Sequence, residues 1–265
     1  MSEVTSSDGT TIAFDRSGEG PPIIMVVGAF NDRSTGAPLA VQLASRFTVL
    51  TYDRRGRGDS GDTAPYAVER EVEDLEALIV QAGGSASVFG YSSGAVLALK
   101  AAARGLAITK LALYEPPLIV DDSRPRPPAD LAAQLAELIS AGRRGDAVEL
   151  FQTKGVGIPA DVVAQLRHAP FRPALEAMAH TLVYETTILG DQSVPTELAA
   201  SVTIPTLVID GGDGPASMRQ GAQALADALP DARHRTLKGQ THDIVPEVVA
   251  PVLDEFFSPQ WRTPC

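Results

Sequence analysis

The chain has 265 residues, of which 44% are hydrophobic and 21% charged, which excludes a disordered polymer and is typical of a globular protein with a sizeable core. Its formal net charge of −11 argues against nucleic-acid binding, because a phosphate backbone repels such a surface. Cys265 is the single cysteine, which excludes an internal disulfide and a thiolate metal cluster and fits a reducing cytoplasm.

Targeting and membrane segments are not visible in the sequence. The first residues, Met1 to Asp8, contain no basic region followed by an apolar run. No apolar stretch reaches the roughly 18 residues that a membrane span needs. We therefore expect a cytoplasmic protein without a membrane partner, while the oligomeric state is left open. The closely spaced Arg54, Arg55 and Arg57 predict a solvated surface cluster.

The first half of the chain alternates strand and helix patterns. Strands are predicted over 10–15, 23–27, 47–52, 85–89 and 108–114, and helices over 37–45, 68–82 and 95–104. The run Ile23-Ile24-Met25-Val26-Val27 is apolar without alternation, which indicates a strand buried on both faces. Strands that alternate with helices imply right-handed crossovers. This half therefore predicts an α/β protein whose mostly parallel sheet carries helices on both faces.

The pattern changes at Glu115-Pro116-Pro117. Residues 129–200 show only helical patterns, and the alternation then resumes with strands over 205–210 and 233–237 and helices over 218–229 and 246–257. We expect a first core part over 1–116, a helical cap insertion over 117–202 and a second core part over 203–265. The alternative is that the helical block simply extends the core.

A glycine-flanked serine follows the predicted strand 85–89 and precedes an Ala-rich helix, in Gly90-Tyr91-Ser92-Ser93-Gly94. A serine on such a strand-to-helix turn projects its hydroxyl above the sheet, and the glycines avoid collisions there. The free N–H groups of the following helix favour a developing negative charge. The spacing places Ser92, rather than its neighbour Ser93, at the apex as the nucleophile.

A serine hydroxyl needs a base, and His242 is the candidate among four histidines. It lies in Gly239-Gln240-Thr241-His242-Asp243, a loop between the last predicted strand and the last predicted helix. Loops of this kind carry the sites of α/β sheets. The order of nucleophile, acid and then histidine along the chain also agrees with this choice.

Three carboxylates are candidates for the acid that orients the histidine. Asp210 and Asp213 both follow the strand over 205–210, and Glu115 ends an earlier strand. Asp213 lies further into its loop and can turn toward His242, so it is the preferred acid. It would hold the tautomer of the imidazole and stabilise the imidazolium. Asp210 would instead accept backbone hydrogen bonds in the loop, and Glu115 stays open as a third candidate.

Three segments together resemble the α/β-hydrolase superfamily, in its capped group of esterases, lactonases and cofactor-free haloperoxidases. They are the turn Tyr52-Asp53-Arg54-Arg55-Gly56-Arg57-Gly58-Asp59-Ser60, similar to the family's D-x-R-G-x-G-x-S, the serine elbow, and residues 239–242. By this resemblance the backbone N–H groups of Ala29 and Ser93 form an oxyanion hole. Val27 stands where family members commonly carry histidine, which is expected to reshape the pocket. Phe30, Asn31 and Tyr91 are expected to line it.

The residues and the resemblance together predict a serine hydrolase that cleaves a small carboxylic ester, lactone or related acyl substrate through an acyl-enzyme. No metal, cofactor or nucleic acid is expected, and the partner is a small-molecule substrate. One alternative is a binding or sensing protein on the same fold, because fold does not set function. Another is perhydrolysis or carbon–carbon bond hydrolysis by the same Ser–His pair.

Overall fold

The computed structural model describes residues 1–121, 124–259 and 261. Cys265, on which the expectation about thiol chemistry rested, lies outside these residues. Across this described part of the chain, no helix combines the length and the apolar character needed to cross a membrane.

Strands and helices alternate along most of the chain. In the described residues the eight strands are β1 (Ser2–Thr5), β2 (Thr11–Ser17), β3 (Pro22–Val26), β4 (Thr48–Tyr52), β5 (Ala86–Tyr91), β6 (Ile108–Tyr114), β7 (Thr206–Gly211) and β8 (Ala232–Leu237). The α-helices of the same residues are α1 (Arg33–Leu43), α2 (Val68–Gln81), α3 (Ser93–Ala103), α4 (Leu131–Ser140), α5 (Arg144–Leu150), α6 (Ala160–Leu166), α7 (Arg172–Ala177), α8 (Leu182–Leu189), α9 (Thr196–Ala200), α10 (Ala216–Ala228) and α11 (Pro246–Phe257). A π-helix (Phe151–Val156) continues α5, and a 3-10 turn (Ala179–Thr181) precedes α8.

The strands form one sheet in the order β1-β2-β4-β3-β5-β6-β7-β8. β1 pairs with β2, and β2 with β4, in antiparallel fashion, whereas the other neighbours are parallel. The mostly parallel sheet confirms the predicted α/β class. The edge strand β1 was not predicted, because its four residues are largely exposed and carry no apolar run.

Helices cover both faces of the sheet, which explains why its central strands are apolar throughout. One core cluster joins the sheet to α2, α3 and α10, and a second joins it to α1 and α11. In β3, the residues from Ile23 to Val26 are at most 1% exposed. α1 begins four residues earlier than predicted, because Asp32 caps it by accepting a hydrogen bond from the Ser34 N–H at 2.9 Å.

The segment between β6 and β7 is helical, with one isolated parallel bridge between Ile119 and Ser193 as its contribution to β pairing among the described residues. Its helices enclose a third apolar cluster, formed by Leu131, Leu135, Ala147, Val148, Phe151, Ala179 and Leu182. Ala29 and Phe30 of the sheet region pack against this cluster. The segment therefore lies beside the loop that follows β3, and its division from the rest as a cap over 117–202 stays a proposal.

The predicted solvated cluster of arginines is wrong. Arg54, Arg55 and Arg57 are each at most 2% exposed. Each binds carboxylates that the sequence places far away: Arg54 holds Glu71 through two bonds of 2.6 and 2.8 Å. Charges of this kind are buried only when they are paired, and the partners are set by the tertiary fold.

Candidate active site

The turn at Ser92 is strained in the way that its glycine neighbours suggested. Ser92 has φ 56° and ψ −125°, between the end of β5 and the start of α3. A side chain on Gly90 would come within 2.6 Å of Ala95 Cα, and one on Gly94 would meet the carbonyl oxygen of Val26. The elbow can form only because both positions lack a Cβ, and it presents the Ser92 hydroxyl to the cavity described below.

The loop that carries His242 is held by the sheet. The Tyr114 hydroxyl, at the end of β6, contacts the carbonyl oxygen of Thr241 at 2.9 Å and that of Asp243 at 3.3 Å. Gly211 ends β7 directly beneath this loop, where a Cβ would lie 2.6 Å from the Thr241 carbonyl oxygen. The backbone on both sides of His242 is therefore positioned by two neighbouring strands.

His242 connects the serine to a buried carboxylate. Its Nε2 lies 3.2 Å from Ser92 Oγ, and its Nδ1 lies 3.1 Å from Glu115 Oε2. The Tyr91 ring packs against the imidazole with 5.1 Å between ring centroids. The side chain of His242 is 44% exposed, whereas that of Glu115 is fully buried. These contacts join a hydroxyl, an imidazole and a carboxylate, the three groups that a histidine-assisted serine nucleophile needs.

The preference for Asp213 as the acid is contradicted by this geometry. Asp213 is exposed, and its Oδ1 accepts a long hydrogen bond of 3.3 Å from the Gly239 N–H rather than one from His242. Asp210 is fully buried, and its Oδ2 lies 2.9 Å from Nε2 of His234 on the neighbouring strand. Both aspartates therefore have other partners, and Glu115 is the one of the three candidate carboxylates that contacts His242.

Glu115 reaches His242 because of its backbone. It follows β6 directly with φ 53°, a conformation that turns its side chain away from the strand direction. Its Oε1 accepts a hydrogen bond of 2.6 Å from the Gly211 N–H, which leaves Oε2 for the imidazole. The sequence signal was a carboxylate at a strand end before Pro116-Pro117, but it did not rank above the two aspartates.

Two residues of the cavity wall have backbone N–H groups without a hydrogen-bond partner among the described residues. Those of Ala29 and Ser93 donate no hydrogen bond to any other described residue, and both residues line the cavity. Phe30 has φ 60°, which bends the loop that follows β3, and the Asn31 side chain donates to the Ala29 carbonyl oxygen at 2.6 Å. Two unpaired backbone donors in a cavity wall can bind a negatively charged oxygen.

Buried arginines hold the carbonyl groups of this loop. Arg57 Nη1 donates to the Gly28 and Asn31 carbonyl oxygens at 2.6 and 3.0 Å, and Arg54 Nη1 donates to that of Val27 at 3.2 Å. Since these carbonyl groups are fixed on the side of the guanidinium groups, the loop is restrained next to the serine. This role of Arg54 and Arg57 was not predicted from the sequence, although a turn rich in arginine directly follows a buried strand.

Glu185 of α8 connects the helical segment to these arginines. It is fully buried and binds both Arg54, at 2.8 Å, and Arg57. Burial alone would lower the pKa of Arg54, but Glu185 and Glu71 raise it well above its ordinary value. For Arg57, burial and the adjacent Arg54 together lower the pKa. Two guanidinium groups and two carboxylates thus share one buried site.

A cavity of about 650 Å³ opens above Ser92 and His242. Phe30, Asn31 and Tyr91 line it, as do residues that sequence reasoning did not name. These are Pro117, Arg124, Phe151, Gln152, Gly155, Val156, Gly157, Ile158, Pro159, Leu189, Gln192, Pro215, Ser217 and Met218. Many of them belong to the π-helix or follow it, and such helices often occur at functional sites. Val27 is 3% exposed and is not part of the lining, so its effect on the pocket is indirect.

Comparison with known proteins agrees with this architecture. The family model described as alpha/beta hydrolase family matches residues 23–254. The crystal structure of an alpha/beta hydrolase from Sphaerobacter thermophilus is 60% identical, covers 97% of this chain and 100% of that one, and superposes with a TM-score of 0.92. The enol-lactonase from Burkholderia xenovorans, at 23% identity, covers 97% and 99% with a TM-score of 0.71, which shows a shared fold.

Two curated relatives are more distant in sequence than the Sphaerobacter thermophilus hydrolase. The 2-(acetamidomethylene)succinate hydrolase of Mesorhizobium japonicum is 27% identical over 263 residues, which cover 93% of this chain and 91% of that protein. An uncharacterized hydrolase of Bacillus subtilis is 38% identical over 95 residues, which cover 34% of this chain and 35% of that protein. The family model and the names of the relatives support hydrolase activity.

Proposed function

The chain belongs to the alpha/beta hydrolase family, and from this premise we propose that it is a serine hydrolase of small carboxylic esters, lactones or related acyl substrates. The observation that carries the proposal is the continuous contact from Ser92 through His242 to Glu115, with distances of 3.2 and 3.1 Å. Relatives named as an enol-lactonase and as a 2-(acetamidomethylene)succinate hydrolase support cleavage of an acyl bond.

In the proposed mechanism, Ser92 Oγ attacks the carbonyl carbon of the substrate while His242 Nε2 takes the hydroxyl proton. The negative charge that develops on the carbonyl oxygen is bound by the N–H groups of Ala29 and Ser93. Glu115 stabilises the imidazolium and keeps the proton of the neutral ring on Nδ1. His242 then protonates the leaving alkoxide, and water attacks the acyl-enzyme by the same route in reverse.

The cavity supports a small substrate. Its volume of about 650 Å³ lies within the range of small-molecule sites, about 300–1,000 Å³. Apolar side chains such as Phe151, Ile158 and Leu189 form much of its wall. Their burial of an acyl chain would contribute about 0.8 kcal/mol for each methylene group.

Ser92→Ala tests the proposal. The wild-type protein is expected to hydrolyse 4-nitrophenyl acetate or butyrate and to react with a fluorophosphonate probe, whereas the variant does neither while it unfolds at the wild-type temperature. Ser217→Ala is the matched control, because Ser217 lines the same cavity and has no hydrogen bond to His242 among the described residues, so probe labelling persists. A wild-type protein that neither labels nor turns over these esters would overturn the proposal in favour of a binding role.

A further inference from the structure

Arg124 stands out among the residues that line the cavity. It is half-buried, and its guanidinium group contacts two neutral oxygen atoms, the Val156 carbonyl oxygen at 3.2 Å and Gln192 Oε1. Within residues 1–121, 124–259 and 261, no carboxylate forms an ion pair with it. Burial lowers its pKa, and no carboxylate of the described residues opposes that effect.

Buried arginines elsewhere in the chain differ from Arg124 in that they form ion pairs with carboxylates. Arg54, Arg55 and Arg172 each bind at least one carboxylate at 3.0 Å or closer. Burying a guanidinium group without an anion is unfavourable, and hydrogen bonds to neutral oxygens compensate its charge only in part. Two of the five N–H groups of Arg124 have partners in the described part of the chain, which leaves three for a ligand. Its charge is thus left for a group that enters the cavity.

A second polar group in the same wall also lacks a partner. Gln152 is 6% exposed, lines the cavity, and its Oε1 has no hydrogen-bond partner among the described residues. An unpaired buried amide costs free energy until a ligand or a water molecule satisfies it. Gln152 lies on the π-helix that ends at Val156, and Arg124 donates to the Val156 carbonyl oxygen. Gln152 and Arg124 therefore belong to the same side of the cavity.

We propose that the acyl substrate carries a second, free carboxylate, which Arg124 binds inside the cavity while Ser92 attacks the scissile carbonyl group. This assignment rests on the proposed hydrolase function and names its substrate class. The planar guanidinium group matches a carboxylate through two parallel hydrogen bonds. The net charge of −11 repels anions at long range, so a preference for a charged substrate has to come from a local cation.

A purely structural role for Arg124 makes a different prediction. Through Val156 and Gln192 it connects the segment after β6 to two other parts of the helical segment. If that were its whole function, its replacement would weaken charged and uncharged substrates equally. The ratio of the two activities, rather than either activity alone, therefore separates substrate binding from structural support.

The test compares the mono-4-nitrophenyl esters of succinate, glutarate and adipate with their methyl 4-nitrophenyl diesters, which lack the charge. A hydrogen bond to a charged group is worth about 1.5–3 kcal/mol, so kcat/KM of the best monoester should exceed that of its diester by about 10- to 100-fold. Arg124→Gln should reduce this ratio to about one. Arg126→Gln is the matched control, since Arg126 lies two residues away, pairs with Asp191 and does not line the cavity.

Calorimetric titration with adipate, glutarate and succinate, and with their uncharged dimethyl esters, forms a second arm that needs no turnover. The wild-type protein should bind one of the dicarboxylates more tightly than its dimethyl ester, and Arg124→Gln should lose that difference. Equal activity and equal binding of charged and uncharged ligands in the wild-type protein would overturn the proposal, as would an unchanged ratio in Arg124→Gln. If no ester is hydrolysed, the hydrolase function fails, while the titration still decides the charge preference.

Discussion

Replacing Glu115 by glutamine is the sharpest test of the site geometry. The carboxylate is fully buried, with Oε1 on the Gly211 N–H at 2.6 Å and Oε2 on His242 Nδ1 at 3.1 Å. In Glu115→Gln the amide oxygen keeps the Gly211 contact, and the NH2 group then faces Nδ1. Because that group donates, the imidazole proton is forced onto Nε2, which can no longer accept the proton of Ser92.

The expected loss follows from this change of tautomer. An amide in place of the orienting carboxylate lowers kcat by about 10⁴-fold in serine enzymes of known mechanism. At about 1.36 kcal/mol for each factor of ten, the activation free energy rises by about 5.4 kcal/mol. The fold should persist, since the Gly211 contact remains, and the unfolding temperature should stay within about 4 °C of the wild type.

The assay is the steady-state hydrolysis of 4-nitrophenyl butyrate, with Asp213→Asn measured beside Glu115→Gln. Asp213 is exposed, and asparagine still accepts the Gly239 N–H, so kcat should change by no more than about twofold, or about 0.5 kcal/mol. If Asp213→Asn loses activity by orders of magnitude while Glu115→Gln keeps most of it, Glu115 is not the acid of this site.

Three further predictions concern the framework around the site. Glu185→Gln leaves the charges of the buried Arg54 and Arg57 without part of their compensation, so it should lower the free energy of unfolding in denaturant by about 3–5 kcal/mol. The control Glu255→Gln removes one partner of an exposed ion pair and should lower it by less than about 1 kcal/mol. Equal losses in the two variants would show that burial of the Glu185 ion pairs is not what stabilises the fold. Tyr114→Phe frees the His242 loop and should lower kcat about tenfold with little change in stability, to be checked by kinetics and calorimetry together. Burial alone would raise the pKa of Glu71, but Arg54 lowers it, so its stabilisation is present above the ordinary pKa of 4.5 and is lost as the pH falls further. Unfolding temperatures measured against pH should therefore decline below about pH 4.5 and should do so less steeply in Glu71→Gln.

The elements next to the chemistry could be predicted from the sequence because their signals are local. The run from Ile23 to Val27 indicates a strand covered on both faces, and the glycines around Ser92 indicate a turn that only a missing Cβ permits. The place of His242 after the last strand follows from chain order alone. Each of these inferences needs a few neighbouring residues and the period of one element.

The acid of the proposed site could not be predicted in this way. Three carboxylates follow strand ends, and which of them can contact His242 depends on the three-dimensional structure. The choice of Glu115 over Asp213 depends on a positive φ after β6 and on the Gly211 N–H of the next strand, which orients the carboxylate. Neither is written in the local pattern. Asp210 contacts His234 on the neighbouring strand β8 instead of His242.

The buried charged side chains also depend on tertiary structure rather than on local sequence. A run of arginines has the same composition whether it is solvated or buried. Burial of Arg54 and Arg57 becomes favourable only because the fold brings Glu71 and Glu185, which are distant in sequence, into contact with them. The turn that carries Ser92 could be predicted from the sequence, because backbone sterics act between neighbouring residues. The partners of buried charges were decided by tertiary structure, since electrostatic pairing acts between residues that only folding brings together.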